Sequence, residues 1–373
     1  MTGITAITMP KWGLTMTEGK ILGWLKTQGD PVAASDELLE IETPKITNVM
    51  EAGETGTLRR IVAQPGATLP IGALMAVLAP PEVADAEIDA FVARFAVVEP
   101  GEDGTAESDA PAPSELETAG GQRIRYLGIG GDEGPPLVFI HGFGGDLNTW
   151  MFVQPTLAQR HRTVALDLPG HGGSDKTLPA GDVASLAAAV SGALEALRID
   201  RAHLVGHSMG GAIALHLAAH HPGLAKSVTL IAPAGLGPEI NAGFIAGFVQ
   251  AQRRREAIEA LHQLVYDPAL VSRAMVEDVL RYKRLDGVTA ALDAIVAAWF
   301  ADGRQRVALS ADLGALSMPA QIVWGREDRI IPVAHAEALA GKLPVHILDN
   351  TGHLPHMEKA AEVSRLIERF LGG

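Results

Sequence analysis

The sequence predicts two domains of different class: a small all-β domain built as a flattened sandwich, and an α/β domain with a mostly parallel sheet. Three observations support this prediction. An internal repeat lies within residues 1–80, and a stretch rich in Pro, Ala and acidic residues follows it. From residue 120 to residue 373, apolar strand-like segments alternate with helical ones. Such alternation builds a parallel sheet that is covered by helices on both faces.

The repeat in the first domain relates residues 19–41 to residues 56–78 at a constant offset, so that Gly29 aligns with Gly66. Both copies show short strands that are broken by Gly, Pro and Asp turn signals. Two similar halves of four strands would pack as a flattened sandwich. Lys45 lies where the first half ends, at the hairpin that leads into the second.

The segment between the domains, residues 81–119, divides into a short helix and a linker. Apolar residues recur at helical spacing within residues 81–97, which predicts the helix. Residues 98–118 cannot bury a core with their composition and predict an extended linker. Eleven acidic residues and one Arg within residues 81–118 account for most of the formal net charge of −14. This charge argues against nucleic acid as a partner.

The composition excludes several classes of site. The 373-residue chain has no cysteine, which excludes disulfides, zinc–thiolate sites and cysteine nucleophiles. No apolar run approaches the roughly 18–20 residues that span a bilayer, so no membrane partner is expected. The beginning of the chain lacks the basic and apolar regions of a signal peptide, and we expect a cytoplasmic protein. We expect no metal in the active site.

The α/β domain is predicted to contain six apolar strands, with helices at residues 183–197, 209–220 and 332–342 among the elements between them. Residues 236–305 interrupt this alternation with a helical pattern and no good strand, and predict an inserted helical cap. The strands lie in "PLVFIHG", "RTVALDLPG", "AHLVGHS", "AKSVTLIAP", "AQIVWG" and "VHILDN".

A candidate nucleophile follows the strand "AHLV". The segment "GHSMG" at residues 206–210 fits the G-x-S-x-G pattern and opens an apolar helix. Such a strand-turn-helix exposes the hydroxyl of Ser208 at the edge of the sheet. Gly206 and Gly210 are small because the backbones of strand and helix approach each other closely there.

A serine nucleophile needs a base, and two later strands end in candidates. Asp328 follows "AQIVW" and His353 follows "VHILDN", so both lie at the carboxyl edge of the sheet, as Ser208 does. Asp328 would orient His353 and stabilise its imidazolium. The sequence leaves rivals open: His356 for the base, and Asp349 or Glu327 for the acid.

The oxyanion of the transition state needs two backbone donors. The amide of Met209, directly after the nucleophile, is one candidate. The other is the amide of Phe143 in the glycine-rich segment "HGFGG" at residues 141–145, which follows an earlier strand.

Residues 120–373 resemble the α/β-hydrolase fold family. The segments "HGFGG", "DLPGHGGSD", "GHSMGG", "WGREDRIIP" and "GHLPHMEK" occur in the order and spacing of that family. The fold hosts esterases, C–C hydrolases, haloperoxidases and acyltransferases, so these segments indicate the fold and not the substrate.

Residues 1–80 resemble a biotinyl/lipoyl attachment domain, in which a lysine at a hairpin tip carries the cofactor. Biotin carriers usually have Met on both sides of that lysine, whereas "IETPKITNVMEA" resembles the lipoyl pattern. The resemblance implies lipoate on Lys45. Pro44 replaces the Asp that commonly precedes the lysine.

The fusion of the two domains resembles the acyltransferase component of acetoin dehydrogenase complexes, and no H-x-x-x-D-G motif of other lipoyl acyltransferases occurs. The resemblance implies transfer of an acetyl group from dihydrolipoyl-lysine to coenzyme A. The implied partners are a thiamine-diphosphate-dependent acetoin dehydrogenase component and dihydrolipoamide dehydrogenase, together with further copies of this chain in a homo-oligomer. Ser208 would carry the acetyl group covalently, or would only hydrogen bond during direct transfer between thiols.

Two other functions stay open at this point. A serine esterase or thioesterase would use the lipoyl domain only for docking, and a scaffold and acyl carrier would have an inactive hydrolase domain. The cap segments "QRRREA" and "RYKR" could meet the phosphates of coenzyme A, or could form a solvated face that pairs with Glu256 and Glu259.

Overall fold

The computed structural model describes residues 4–10, 18–34, 36–43, 47–95, 111–131, 134–178 and 180–372. The chain divides into two compact units, one comprising residues 1–110 and the other comprising most of residues 111–373. Lys45 and most of the predicted linker lie outside the described residues.

The first unit contains two antiparallel sheets of four strands each. The strands are Thr5–Thr8 (β1), Glu18–Trp24 (β2), Pro31–Val32 (β3), Glu37–Glu42 (β4), Thr47–Glu51 (β5), Gly56–Ile61 (β6), Thr68–Pro70 (β7) and Leu74–Ala79 (β8). One sheet has the order β1-β8-β6-β3 and the other the order β5-β4-β2-β7. The two sheets exchange strands between the halves of the chain, and the predicted fold class of this part is confirmed.

The internal repeat explains the pairing of these strands. Each strand of one sheet corresponds to the strand four positions further along the chain, if β1 is counted after β8. This shift converts the order β1-β8-β6-β3 into β5-β4-β2-β7, so a pseudo-twofold exchange of the two halves relates the two sheets. Apolar residues at equivalent positions of the repeat fill one core. They are fully buried in pairs: Ile21 with Leu58, Leu38 with Met75, and Ile41 with Leu78.

A helix follows the last strand of this unit. Asp85–Phe95 (α1) lies within the predicted helix, and Ile88 is buried in a small cluster with Leu74 and Val77 of β8. Residues 96–97 of the prediction lie outside the described residues.

The second unit contains one large sheet and a small hairpin. Its strands are Ser114–Glu117 (β9), Arg123–Ile129 (β10), Leu137–Ile140 (β11), Thr163–Leu166 (β12), Ala202–His207 (β13), Ala225–Ile231 (β14), Phe300–Ala301 (β15), Arg304–Gln305 (β16), Ala320–Gly325 (β17) and Val345–Leu348 (β18). The large sheet has the order β18-β17-β14-β13-β11-β12-β10-β9. Six strands from β18 to β12 run parallel, and β10 and β9 complete the edge antiparallel.

The predicted linker is wrong at its end, because Ser114–Glu117 is the edge strand of the large sheet. Only Leu116 is apolar in this strand, so no alternating pattern marks it in the sequence. Its partner strand β10 supplies Arg123, whose guanidinium lies 3.2 Å from the carboxylate of Glu115. Pairing with a neighbouring strand, rather than a hydrophobic face, therefore holds this segment in place.

Helices cover the large sheet and fill the insertion between β14 and β17. They are Gln154–Leu157 (α2), Val183–Ala196 (α3), Met209–His220 (α4), Ala242–Gln250 (α5), Arg254–Leu261 (α6), Arg273–Lys283 (α7), Val288–Trp299 (α8), Ser310–Gly314 (α9), Ala334–Glu337 (α10), Pro355–Glu358 (α11) and Ala360–Gly372 (α12), with 3-10 turns at Leu147–Trp150 and Pro268–Leu270.

Two predictions for this unit need correction. The helix expected at residues 332–342 is a single turn, α10, after which Ala340 pairs with Leu343 in an isolated bridge. The insertion is helical as expected, but it ends in the hairpin β15–β16, whose turn has Gly303 at φ 73°. A positive φ at a glycine allows so tight a turn with very short strands.

None of the helices in the described part of the chain combines the length and the apolar character that a membrane crossing requires.

Candidate active site

Ser208 lies in a strained turn between β13 and α4. Its φ of 51° and ψ of −115° are uncommon for a residue with a side chain. Strand and helix are pressed together at this turn: a Cβ at Gly206 would lie 2.3 Å from the carbonyl oxygen of Gly210. A Cβ at Gly210 would lie 2.1 Å from the carbonyl oxygen of Ile140 on the neighbouring strand. Only glycine fits at both positions. The close approach of strand and helix therefore explains both the glycines of the G-x-S-x-G pattern and the sharp turn at Ser208.

Asp328 and His353 are brought together beyond the ends of β17 and β18. The Nδ1–H of His353 donates to Asp328 Oδ2 at 2.7 Å, and both side chains are buried. The other carboxylate oxygen accepts from the backbone amides of Ile330 and Ile331 at 2.8 and 3.0 Å. These three bonds fix the tautomer of His353, and its Nε2 keeps the lone pair that a general base needs.

The rival residues have other partners or none. Asp349 pairs with Arg326, and its side chain is 70% exposed. The carboxylate of Glu327 accepts from the backbone amide of Thr351 at 2.9 Å and so holds the loop that precedes His353. His356 is fully buried, and neither ring nitrogen has a hydrogen-bond partner among the described residues. The geometry therefore favours the pair Asp328–His353 over the alternatives.

His207 joins the serine turn to the histidine loop. Its Nε2–H donates to the carbonyl oxygen of His353 at 2.8 Å, and the centroids of the two rings lie 4.8 Å apart. Burial holds the pKa of His207 well below its ordinary value, with the neighbouring imidazoles of His356 and His353 adding to the effect. The neutral ring is a stable donor between two loops that meet only in the tertiary structure. The hydroxyl of Ser208 itself has no hydrogen-bond partner within the described residues.

The loop that follows β11 lies against Ser208. A Cβ at Gly142 would lie 3.1 Å from the Cβ of Ser208 and 2.8 Å from Nδ1 of His207. Neither the amide of Phe143 nor that of Met209 donates a hydrogen bond within the described part of the chain. Two amides of this kind beside a nucleophile are suited to bind an oxyanion.

A buried network of hydrogen bonds around Asp167 supports the loop that follows β11. Asp167 is fully buried and accepts from the amide of Leu147 and from the amide of Gly173, both at 2.7 Å. Arg125 donates to the same carboxylate at 3.1 Å. Burial raises the pKa of Asp167, and these hydrogen bonds oppose that rise. Asp167 belongs to the segment "DLPGHGGSD", which the sequence marked without assigning it a role.

Two buried histidines complete the network. His141 Nε2 accepts from the amide of Leu168 at 3.0 Å, and its Nδ1 bonds the carbonyl oxygen of Gly142 at 2.8 Å. His171 Nε2 accepts from the amide of Gly144 at 3.1 Å. Burial lowers the pKa of His141 to about 4 and that of His171 to about 3, so both rings stay neutral near pH 7.

The insertion contacts the loop that follows β11 directly. The ring of Phe248 in α5 packs edge-on against Phe143, with centroids 5.8 Å apart, and leaves no space for a side chain at Gly144. The hydroxyl of Tyr282 in α7 donates to the carbonyl oxygen of Gly170 at 2.8 Å. The amide of His353 donates to the carbonyl oxygen of Leu264 at 2.7 Å. The insertion thus covers the site, as a cap would.

The cationic segments of the insertion are mostly engaged. Arg254 pairs with Glu277 at 3.5 Å, Arg255 pairs with Glu259 at 2.8 Å, and Arg281 pairs with Asp278 at 3.2 Å. Lys283 donates to backbone carbonyl oxygens at the end of α5, among them that of Val249 at 2.8 Å. Glu256 accepts from the backbone amides of Gln252 and Arg253 at 2.9 and 3.0 Å and so caps the start of α6. Arg253 and Arg284 form no ion pair within the described residues.

Lys45 lies outside the described residues, but the strands on both sides of it are described. Glu42 at the end of β4 pairs with Thr47 at the start of β5, and both residues are exposed. In the sequence, Lys45 stands between these two paired strands, which is the position expected for a lysine that carries a covalent arm.

Family models match both units. The alpha/beta hydrolase fold family matches residues 135–360, and the biotin/lipoyl family, described as biotin-requiring enzyme, matches residues 5–78. A relative from Pseudomonas putida is named "Dihydrolipoyllysine-residue acetyltransferase component of acetoin cleaving system". It is 47% identical over 372 residues, which cover 100% of this chain and 99% of that protein. The chain belongs to this acetyltransferase family.

A second member of the family, from Cupriavidus necator, has the same name and is 45% identical over 370 residues, or 99% of this chain and 98% of that protein. Both names describe a component of a larger system. The family predicted from the sequence is confirmed, as are the enzyme class and the pairing of a lipoyl domain with an α/β-hydrolase domain.

A solved structure of a bacterial membrane phospholipase A has the same fold as the second unit. It superimposes with a TM-score of 0.60 at 27% identity and covers 70% of this chain and 86% of that chain. In this chain, the hydrolase fold is joined to a lipoyl domain.

Proposed function

We propose that this protein transfers an acetyl group from a lipoyl thioester on Lys45 to coenzyme A, with Ser208, His353 and Asp328 as the catalytic residues. The observation that carries the proposal is the full-length similarity to acetyltransferase components of acetoin cleaving systems, at 47% identity over 99% of the relative. It covers the lipoyl hairpin and the serine site together.

The lipoyl arm would be held by Lys45 in the connection between β4 and β5. The pairing of Glu42 with Thr47 and the exposure of both residues support attachment of the lipoyl group at the lysine that lies between them in the sequence. When attached, the lipoyl group supplies the acetyl group as a thioester of its reduced dithiol. The remaining chemistry belongs to the second unit.

His353 activates Ser208. Because Nδ1 of His353 is committed to Asp328, its Nε2 takes the proton of the Ser208 hydroxyl as the oxygen attacks the carbonyl carbon of the acetyl thioester. The C–S bond then breaks, the departing thiolate receives the proton from His353, and an acetyl ester remains on Ser208. The buried carboxylate of Asp328 stabilises the imidazolium that exists between these steps.

The amides of Phe143 and Met209 stabilise the oxyanion of each tetrahedral intermediate. Asp167, His141 and His171 hold the loop that carries Phe143, so that its amide needs no reorganisation during the reaction. In the second half-reaction His353 takes the proton of the coenzyme A thiol. The resulting thiolate attacks the acetyl ester and releases Ser208 with its proton restored.

A transferase must also exclude water and bind coenzyme A. The contacts of α5 with Phe143 and Gly144 support a cap that closes over the acetyl ester. Arg253 and Arg284, which form no ion pair within the described residues, are the candidates for the phosphates of coenzyme A.

The test uses the full-length lipoylated protein with the arm reduced and acetylated. Acetyl-coenzyme A and free acetate are quantified with and without coenzyme A, for the wild type and for Ser208→Ala. Lys45→Arg, which cannot carry the arm, is treated in the same way as a control. We expect acetyl-coenzyme A from the wild type alone. Acetate as the main product, independent of coenzyme A, would indicate a thioesterase instead. Mass spectrometry after an acid quench, without coenzyme A, tests for an acetyl group on Ser208; its absence with transfer intact would indicate direct transfer between thiols.

The partners follow from the proposed reaction. A thiamine-diphosphate-dependent acetoin dehydrogenase component would load the acetyl group, and dihydrolipoamide dehydrogenase would reoxidise the arm. Homo-oligomerisation and action in the cytoplasm remain the predictions made from the sequence. Copurification of the three components and the mass of the assembly in solution would test them.

A further inference from the structure

A group of metal-binding side chains lies at the end of α4 that is remote from Ser208. His216 and His220 are one helical turn apart, so their rings share one face of the helix. The centroids of the two rings lie 4.0 Å apart. Asp312 of the short helix α9 faces both rings. Neither the proposed reaction nor the family similarity gives these residues a role.

The distances within this group fit a tetrahedral ion. His216 Nδ1 lies 3.3 Å from Asp312 Oδ2, and His220 Nδ1 lies 3.7 Å from the same oxygen. Zinc bonds of about 2.0–2.1 Å in a tetrahedron place two ligand atoms about 3.3 Å apart. The three ligand atoms lie within 4.8 Å of one another, and no other set of three such side chains does so in the described part of the chain. A small rotation of His220, the exposed member of the group, would complete the geometry.

We propose that His216, His220 and Asp312 bind one divalent transition-metal ion of the zinc class, with water in the fourth position. Two imidazoles and one carboxylate form a donor set that favours Zn²⁺ over the harder Mg²⁺ or Ca²⁺. The site is open to solvent on the side of His220, whose side chain is 51% exposed, whereas His216 and Asp312 are largely covered.

The end of α4 also favours a cation electrostatically. The carboxyl end of a helix carries a partial negative charge, and this end belongs to a helix of twelve residues. Without an ion, the ring of His216 bonds Asp312, and Nδ1 of His220 lies 3.0 Å from the backbone carbonyl oxygen of His216. The ion would replace both contacts and bind Nδ1 of each ring, which leaves the ring proton on Nε2.

The ion would act on stability rather than on the reaction. Twelve residues along the helix separate Ser208 from His220, or about 18 Å at 1.5 Å per residue. The ion would join α4, which follows the nucleophile, to α9, which leads the chain from the insertion back into the sheet at β17. Because the site exists only in the folded state, metal binding would stabilise that state.

The experiment uses the untagged full-length protein, stripped of metal and titrated with Zn²⁺ in competition with a chromophoric chelator. We expect one Zn²⁺ per chain and a higher melting temperature with Zn²⁺. We also expect visible absorption of tetrahedral Co²⁺ when Co²⁺ is used instead. His220→Gln and Asp312→Asn should each weaken binding by about tenfold or more. His221→Gln is the matched control, because its histidine is adjacent but outside the group, and it should bind as the wild type does.

Absence of a stoichiometric site in the wild type would overturn the proposal. Unchanged Zn²⁺ affinity in both His220→Gln and Asp312→Asn would do the same, because the ion would then be bound elsewhere. Circular dichroism establishes that each variant is folded. Since His220 is half exposed, its replacement is expected to leave the fold intact.

Discussion

Replacing Asp328 with Asn changes which ring nitrogen of His353 carries the proton, while the shape of the side chain at position 328 stays the same. The amide oxygen of Asn can still accept from the backbone amides of Ile330 and Ile331, as Asp328 Oδ1 does at 2.8 and 3.0 Å. Its NH2 group then faces Nδ1 of His353. That group can only donate, so His353 must accept with Nδ1 and carry its proton on Nε2. In this tautomer Nε2 has no lone pair for the hydroxyl of Ser208.

The expected loss is large because the wrong tautomer removes the general base. A base held in the wrong tautomer by such a change costs about 10⁴-fold in kcat, which corresponds to about 5.4 kcal/mol at about 1.36 kcal/mol for each tenfold change. The cost to folding is smaller, since one hydrogen bond to a charged group contributes about 1.5–3 kcal/mol. We therefore expect a folded and nearly inactive protein.

The assay is a single turnover of acetyl transfer to coenzyme A, with circular dichroism as the measure of folding. Asp349→Asn is the matched control, because Asp349 is exposed and its carboxylate pairs with Arg326 at the surface. Its loss is expected to stay within about fivefold. The reasoning is refuted if folded Asp328→Asn keeps more than about a tenth of the wild-type rate, or if Asp349→Asn loses more activity than Asp328→Asn does.

Three further predictions test other parts of the structure. Gly210→Ala would place a Cβ 2.1 Å from the carbonyl oxygen of Ile140, and we expect a loss of about 3 kcal/mol or more in the free energy of unfolding. The control Gly247→Ala, in α5 with nothing within 4 Å of the new Cβ, should instead gain about 0.5–1 kcal/mol; urea unfolding measures both. Burial lowers the pKa of His356 to about 3 in the folded state, against about 6.5 when unfolded. Above about pH 6.5 the ring is neutral in both states and does not affect the free energy of unfolding. Below that pH the ring takes up a proton in the unfolded state alone, so the free energy of unfolding falls by about 1.4 kcal/mol per pH unit as the pH drops towards 3. His356→Leu should reduce the slope by the share of one histidine, about 1.4 kcal/mol per pH unit, because His141, His171 and His207 are also buried and neutral. The variant should keep acetyl transfer; an unchanged slope, or an inactive folded variant, would contradict the assignment. Lys45→Arg keeps the positive charge but cannot form the lipoyl amide, so intact mass should show no lipoyl addition, and acetyl transfer should be lost while the second unit still cleaves a small acetyl ester; transfer that survives would place the arm elsewhere.

Local pattern in the sequence determined much of the fold. The internal repeat anticipated two equivalent halves, because a sandwich of two similar sheets needs matched apolar positions such as Ile21 and Leu58. The parallel strands in the middle of the sheet were equally visible, since strands covered on both faces are continuous apolar runs. The edge strand Ser114–Glu117 was missed because its stability comes from pairing with β10 and from the ion pair of Glu115 with Arg123. Neither leaves an apolar pattern.

For the candidate site, the sequence could propose residues but could not choose among neighbours. Asp328 and Asp349 both follow strands, and His353 and His356 lie three positions apart on one segment. In the structure, Asp328 and His353 form a hydrogen-bonded pair, and Asp349 forms an ion pair at the surface. The ring of His356 is buried and has no hydrogen-bond partner among the described residues. These outcomes depend on the direction of each side chain, which the sequence pattern does not give. The roles of Ser208, His353, Asp328, Phe143, Met209 and Lys45 remain predictions that the variants above test.

The sequence by itself determined the two domain classes, the position of the serine turn and the family, because periodicity and short glycine patterns are local properties of the chain. The tertiary structure alone decided which carboxylate reaches His353. It also decided that His207 connects the serine turn to the carbonyl group of His353, and that His216, His220 and Asp312 meet. These contacts join segments far apart in the chain, and their geometry is set by how strands and helices pack rather than by any spacing in the sequence.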